Sequence, residues 1–127
     1  MEDKQANVQD ATVGVVAYIT LIGFIVAIVL NSSKEGEEKK FGAFHLRQAL
    51  GMIIMAVGLA IVIAILSALL LTVSLSMVMI VSMLSMLLWI GFLVLLVLGI
   101  VNAANKTYKP IPVVGDLFNK MLGQAFE

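Results

Sequence analysis

Between Gln48 and Asn105 the chain runs for 58 residues without one Asp, Glu, Lys or Arg. As a single helix this stretch would measure roughly 87 Å at ~1.5 Å per residue, nearly three times the ~30 Å hydrocarbon layer of a bilayer. It therefore reads as two crossings joined by a turn, and the hydroxyls of Thr72, Ser74 and Ser76 mark Leu71–Ser76 as the place for that turn. The expected helices run from Ala49 to Leu71 and from Met77 to Val101. A second uncharged stretch, Ala11–Ser33, is almost wholly apolar from Val13 to Leu30, broken mainly by Tyr18 and Thr20. It predicts a further crossing over about residues 12–31, with Thr12 at its start and Asn31-Ser32-Ser33 at its end.

Composition makes lipid the natural solvent. Hydrophobic residues are 61% of the 127 and charged residues 13%, and the mean hydropathy is +1.10. A water-soluble chain this short buries only about two thirds of its unfolded surface and would leave large apolar patches in water. The expected fold is an all-α membrane protein, one domain over residues 1–127, with three transmembrane helices. Eight Lys plus Arg balance eight Asp plus Glu, so no polycationic face invites nucleic acid. The chain has no Cys, which excludes disulfides, thiolate nucleophiles and cysteine metal sites.

The polar segments set the expected organisation. A charged loop over 32–40 contains Lys34-Glu35-Gly36-Glu37-Glu38-Lys39-Lys40, and an amphipathic lead-in over 41–48 enters the second helix. The tail over 102–127 leaves the membrane at Lys106 and bends at Pro110 and Pro112. Beyond Pro112, Val114, Leu117, Phe118, Met121, Leu122, Ala125 and Phe126 recur at helical spacing, with Asp116, Asn119, Lys120 and Gln124 facing away. That pattern predicts a short amphipathic helix on the membrane surface. Loops rich in Lys and Arg stay cytoplasmic. Lys34, Lys39, Lys40, Arg47, Lys106, Lys109 and Lys120 oppose Lys4 alone, so three crossings predict a multi-pass cell-membrane protein with its N-terminus outside and its C-terminus cytoplasmic. The acidic stretch Met1–Asp10, with no small-residue cleavage motif after its apolar run, does not read as a secretory signal.

The candidate functional residues fall into few groups. Phe41 and Phe44 share a side of the lead-in and suit an anchor in the acyl boundary, while Arg47 reaches toward headgroups, as an interfacial anchor or as a specific lipid site. His45 is the single histidine, which with no thiol beside it is little basis for a metal centre. Ala56, Ala60, Ala64 and Ala68 form a ladder of small side chains on one helix face, as do Gly23 with Ala27 and Gly51 with Gly58. Such faces serve packing within one bundle or a seam between copies. Ser74, Ser82 and Ser85 with Trp89 align on the third helix, as pore lining or bonded to their own backbone. Asn102 and Asn105 bracket a helix end and can cap its free carbonyls. Every Asp and Glu lies outside the predicted spans, where proton-coupled or hydrolytic chemistry at depth would need one.

Two stretches carry a family resemblance. Phe41-Gly42-Ala43-Phe44-His45-Leu46-Arg47-Gln48-Ala49-Leu50 resembles an F-x-x-F-H-x-R-Q-A-L motif, and Asn102-Ala103-Ala104-Asn105-Lys106-Thr107-Tyr108-Lys109-Pro110-Ile111-Pro112 resembles a small-residue, Tyr, Lys, Pro close. Both are similar to the Tic-twenty-like family of small bacterial membrane proteins, distantly related to a chloroplast import component and to the magnetosome proteins MamF and MmsF. The resemblance runs from about Val13 to Phe118. It implies a compact helical membrane protein and lends no catalytic residue and no cofactor. The expected function is a non-enzymatic structural or assembly component, with the bilayer, further copies of the chain or other membrane proteins as partners and no small-molecule substrate. A component of an oligomeric channel or protein translocon is the alternative.

Overall fold

The structure is a computed structural model that describes residues 5–123 and 125–127; Met1–Lys4, and Gln124 on the predicted polar face of the tail, lie outside the described residues. Among the described residues there are five helices: α1 (Thr12–Ala17), α2 (Leu21–Ser32), α3 (Gly36–Leu71), α4 (Leu75–Ala104) and α5 (Gly115–Leu122). Two of them, α3 with 36 residues and α4 with 30, are long and apolar enough to cross a membrane. They form an antiparallel pair joined by Thr72, Val73 and Ser74. This turn lies within the hydroxyl-marked interval, and its polar groups are satisfied locally. Thr72 Oγ1 donates to the Leu69 carbonyl at 2.7 Å, and Val73 N–H and Ser74 N–H both donate to the Leu70 carbonyl at 2.9 Å.

The first apolar stretch is not the single spanning helix expected over 12–31. It is broken at Tyr18-Ile19-Thr20, where Tyr18 N–H and Ile19 N–H close the end of α1 on the carbonyls of Val15 and Val16. Thr20 is fully extended at φ −159° and caps a new helix, its Oγ1 accepting from Gly23 N–H at 3.0 Å. At 12 residues, α2 is about 18 Å long, too short for a ~30 Å hydrocarbon layer. α1 and α2 instead pack against each other as a helical hairpin. Going in, Gly14 lies against Ala103, Phe41 and His45, and Tyr18 against Gly99; coming back, Asn31 stands over Gly42. Two polar side chains, Tyr18 and Thr20, were the visible interruptions of the apolar run, and they sit at the break.

α3 differs from expectation at its start. Gly36, at φ +63°, and the extended Glu35 open the helix, so the second half of the charged loop is already helical. Glu37 and Glu38 occupy its first turn, where the positive end of the helix dipole favours them. From Phe41 to Ala49 every residue is buried. That is more than two helical turns covered on all sides, so the lead-in is part of the core and not an amphipathic surface anchor. α1, α2 and the segment after α4 supply the cover.

α4 ends in a Schellman turn, with Lys106 in the left-handed region at φ +59°. Thr107 N–H donates to the Asn102 carbonyl at 3.1 Å and Lys106 N–H to the Ala103 carbonyl at 2.9 Å. The helix stop expected from the Asn102 and Asn105 amides is therefore made by backbone groups, and the Asn102 amide donates onward to the Lys109 carbonyl at 3.2 Å. α5 carries its apolar face to α3, where Phe118 occupies the space above Gly51. The N-terminal segment joins the same end. Gln5 pairs with Thr107 as an antiparallel bridge, and Ala6 N–H donates to the Lys106 carbonyl at 2.6 Å. Residues 5–9 and the tail thus share one end of the α3–α4 pair.

Candidate functional site

The chemistry of the chain is concentrated where α3 begins and α4 ends. At its centre is His45, fully buried, with Nε2 2.8 Å from the Thr107 carbonyl and Nδ1 2.8 Å from the Tyr18 hydroxyl. A carbonyl only accepts, so the ring donates from Nε2, and Nδ1 accepts from Tyr18. His45 therefore ties α1 through Tyr18 to the strand-like close after α4. Phe41 and Phe44 flank the imidazole edge-on at centroid distances of 4.8 and 4.9 Å, and both also meet the Tyr108 ring, at 6.0 and 5.5 Å. These edge-to-face contacts make a box of aromatic rings around one polar side chain.

Gln48 does the same for the tail. Its Oε1 accepts from Ile111 N–H at 2.9 Å and its Nε2 donates to the Gly115 carbonyl at 2.9 Å, both in buried surroundings. Pro110 and Ile111 thereby follow a path fixed by one side-chain amide. Arg47, also buried, points to the C-terminal residues: Nη1 donates to the Ala125 carbonyl at 3.3 Å and to Glu127 Oε2 at 3.1 Å. The expected reach of Arg47 toward headgroups is replaced by an internal ion pair.

Around this core lies a ring of more exposed polar contacts. Tyr108 donates its hydroxyl to Glu37 Oε2 at 2.6 Å; burial and the Glu37 carboxylate push the phenol well above its ordinary range, so it remains a donor. Glu38 Oε2 accepts from Gln9 N–H at 3.1 Å, and Lys106 Nζ donates to the Gln9 carbonyl at 3.0 Å. Asp10 is held below the usual carboxylate range by hydrogen bonds from Thr12. A cleft of about 440 Å³ opens here between Lys40, Glu37, Arg47 and Tyr108, its charges of both signs. Among the described residues no three His, Asp or Glu side chains converge as a metal site would require.

The remaining candidates separate. Gly23 packs beneath the α1–α2 turn against the Val16 carbonyl, and Ala27 is fully buried. Ala56 is half-buried beside the turn, while Ala60, Ala64 and Ala68 are exposed, so the alanine ladder does not pack within this chain over most of its length. Ser85 donates to the Val81 carbonyl of its own helix at 2.8 Å. Asn105 lies exposed, its carbonyl accepting from Gln5, and Pro112 is exposed beside the half-buried Pro110. Sequence reasoning missed Tyr18 and Asn31 as site residues. Asn31 is buried with its Oδ1 unpartnered among the described residues, set on Gly42.

A two-helix hairpin with an apolar exterior and one densely bonded polar end defines an all-helical membrane protein whose distinctive residues hold the fold together at that end. The chain belongs to the magnetosome magnetite crystal formation protein family, that of MamF and MmsF, whose profile matches residues 8–118. The magnetosome side of the sequence resemblance is thereby shown, whereas the Tic-twenty-like group and the chloroplast component are not part of the match. No curated protein and no solved structure matches the chain.

Proposed function

We propose that the chain is a non-enzymatic integral component of the magnetosome membrane that serves crystal formation by organising that membrane or its proteins from the cytoplasmic side, without itself holding mineral. The observation that carries this reading is the partition of charge along the α3–α4 pair. Every described Lys, Arg, Asp and Glu belongs to the end that holds residues 5–10, 34–47 and 106–127, whereas the opposite turn offers only Thr72, Val73 and Ser74. Lys and Arg retain their loops on the cytoplasmic face, so the far face presents two hydroxyls and no carboxylate to whatever lies beyond. Iron mineral is bound by hard oxygen anions, and that face has none. The exposed small-residue face at Ala60, Ala64 and Ala68 suits close approach of another transmembrane helix, which makes membrane proteins, including further copies, the natural partners.

Single cysteines at Gln9, Ser33, Val73 and Pro112, each introduced into the otherwise cysteine-free chain, test the arrangement in intact membranes. Gln9, Ser33 and Pro112 label from one face, the cytoplasmic one, and Val73 from the other. Labelling of Gln9 and Ser33 from opposite faces would restore a third crossing and remove the basis for this reading.

A further inference from the structure

The helices are distributed unequally through the thickness of the membrane. The uncharged run of α3 begins at Gln48, and the deepest residues of α3 beside the α1–α2 turn are Ala56 and Val57. Ala56 is about 12 Å beyond Gln48 at ~1.5 Å per residue, within one half of a ~30 Å hydrocarbon layer. α5 reaches Gly51, Ile54 and Met55, a similar depth. Past that level, from Gly58 to Leu71, α3 has no buried residue, and α4 from Leu75 to Leu98 buries Ser85 alone. The half of the bilayer next to the charged end therefore contains parts of five helices, and the other half contains two.

The added elements are built to sit among acyl chains. On α2, Ile22, Ile25 and Val29 are 75%, 54% and 64% exposed and point away from the core, and on α5 Leu117 and Met121 are exposed as well. Asp116 and Lys120 lie on the exposed flank of α5 next to them, where they can reach the headgroup level. Such shallow apolar insertions enlarge the leaflet they enter without enlarging its partner, and their binding energy depends on curvature.

From this wedge we infer that the chain favours membrane whose charged-cap face is convex, its partner being the acyl layer of an outwardly curved leaflet. The inference rests on the proposed reading that α3 and α4 cross the membrane while the α1–α2 hairpin returns to its own side. Curvature opens the space between acyl chains in the cap-side leaflet. The α1–α2 hairpin and α5 fill that space, whereas in a flat membrane they compress their neighbours.

Sorting within one continuous membrane tests the idea. Full-length chain carrying a fluorophore at Ser33→Cys is reconstituted into giant phosphatidylcholine–phosphatidylglycerol vesicles, narrow tubes are pulled outward, and an external quencher separates cap-out from cap-in molecules. Cap-out molecules are enriched on the tube over the vesicle by at least about twofold, and cap-in molecules are depleted. Ile25→Asn with Val29→Asn, both at exposed positions that leave the core untouched, brings the ratio back toward one. Equal densities for both orientations overturn the inference and leave the topology standing. Gln9 and Ser33 on opposite faces would overturn both.

Discussion

At the scale of single residues, the polar groups of the cap act as fasteners between segments far apart in sequence. Gln48 meets Ile111 N–H and Gly115 C=O, more than sixty positions away. Gln48→Leu roughly keeps the volume and removes both bonds; the Gly115 carbonyl retains its place in the first turn of α5, whereas the Ile111 N–H is left buried and unpaired at about 1–3 kcal/mol. The expected result is a loss of about 1–3 kcal/mol of stability, read as a lower thermal midpoint in mild detergent and as faster tryptic cleavage at Lys106 and Lys120. An unchanged midpoint would mean that water replaces the amide and that the tail does not depend on it.

At the scale of elements, packing at the cap relies on places where a helix has no side chain. A Cβ at Gly99 would clash with the edge of the Tyr18 ring, and one at Gly51 with the Phe118 ring, whereas Gly58 and Gly91 have nothing within 4 Å. Gly99→Leu should therefore push the α1–α2 hairpin off α4, and Gly51→Leu should displace α5, each at about 1–3 kcal/mol of overpacking. Gly58→Leu faces open space and gains helix propensity, so its midpoint should match or exceed that of the parent chain. Equal effects at Gly58 and Gly99 would count against the hairpin seat described above. The same contrast explains why the glycine and alanine stripes looked alike in sequence: spacing places residues on one face of a helix, and only the neighbours determine whether that face is covered.

At the scale of the whole molecule, one end carries the tertiary structure and the other is a connection. A four-residue Gly/Ser insertion between Val73 and Ser74 lengthens a turn that touches no third element, and loop-closure entropy makes such an insertion cost well under about 1 kcal/mol. The same insertion between Lys109 and Pro110 shifts Ile111 and Gly115 relative to Gln48 and should destabilise the cap severely. Thermal midpoints of the two insertion variants decide the matter, and comparable losses would refute the division.

The two long helices were legible in the sequence because their determinant is local. An ion-free run too long for one crossing must turn once, and the hydroxyls of Thr72, Ser74 and Ser76 marked the place near its middle. The Phe41–Leu50 segment stood out as well, but its role did not follow from it. The pattern Phe-x-x-Phe-His-x-Arg suits a membrane surface and a covered core equally, since both offer apolar contact with polar partners nearby. What the tertiary structure decided was the partner of each polar group: Tyr18 for His45, the Ile111–Gly115 backbone for Gln48, and Glu127 for Arg47. Burying Tyr18 against Gly99 and His45 accompanies the break that folds the first apolar stretch back on itself as a hairpin. Hydropathy measures the transfer of each residue into lipid one at a time and carries no record of these long-range bonds, which is why the sequence alone suggested three crossings.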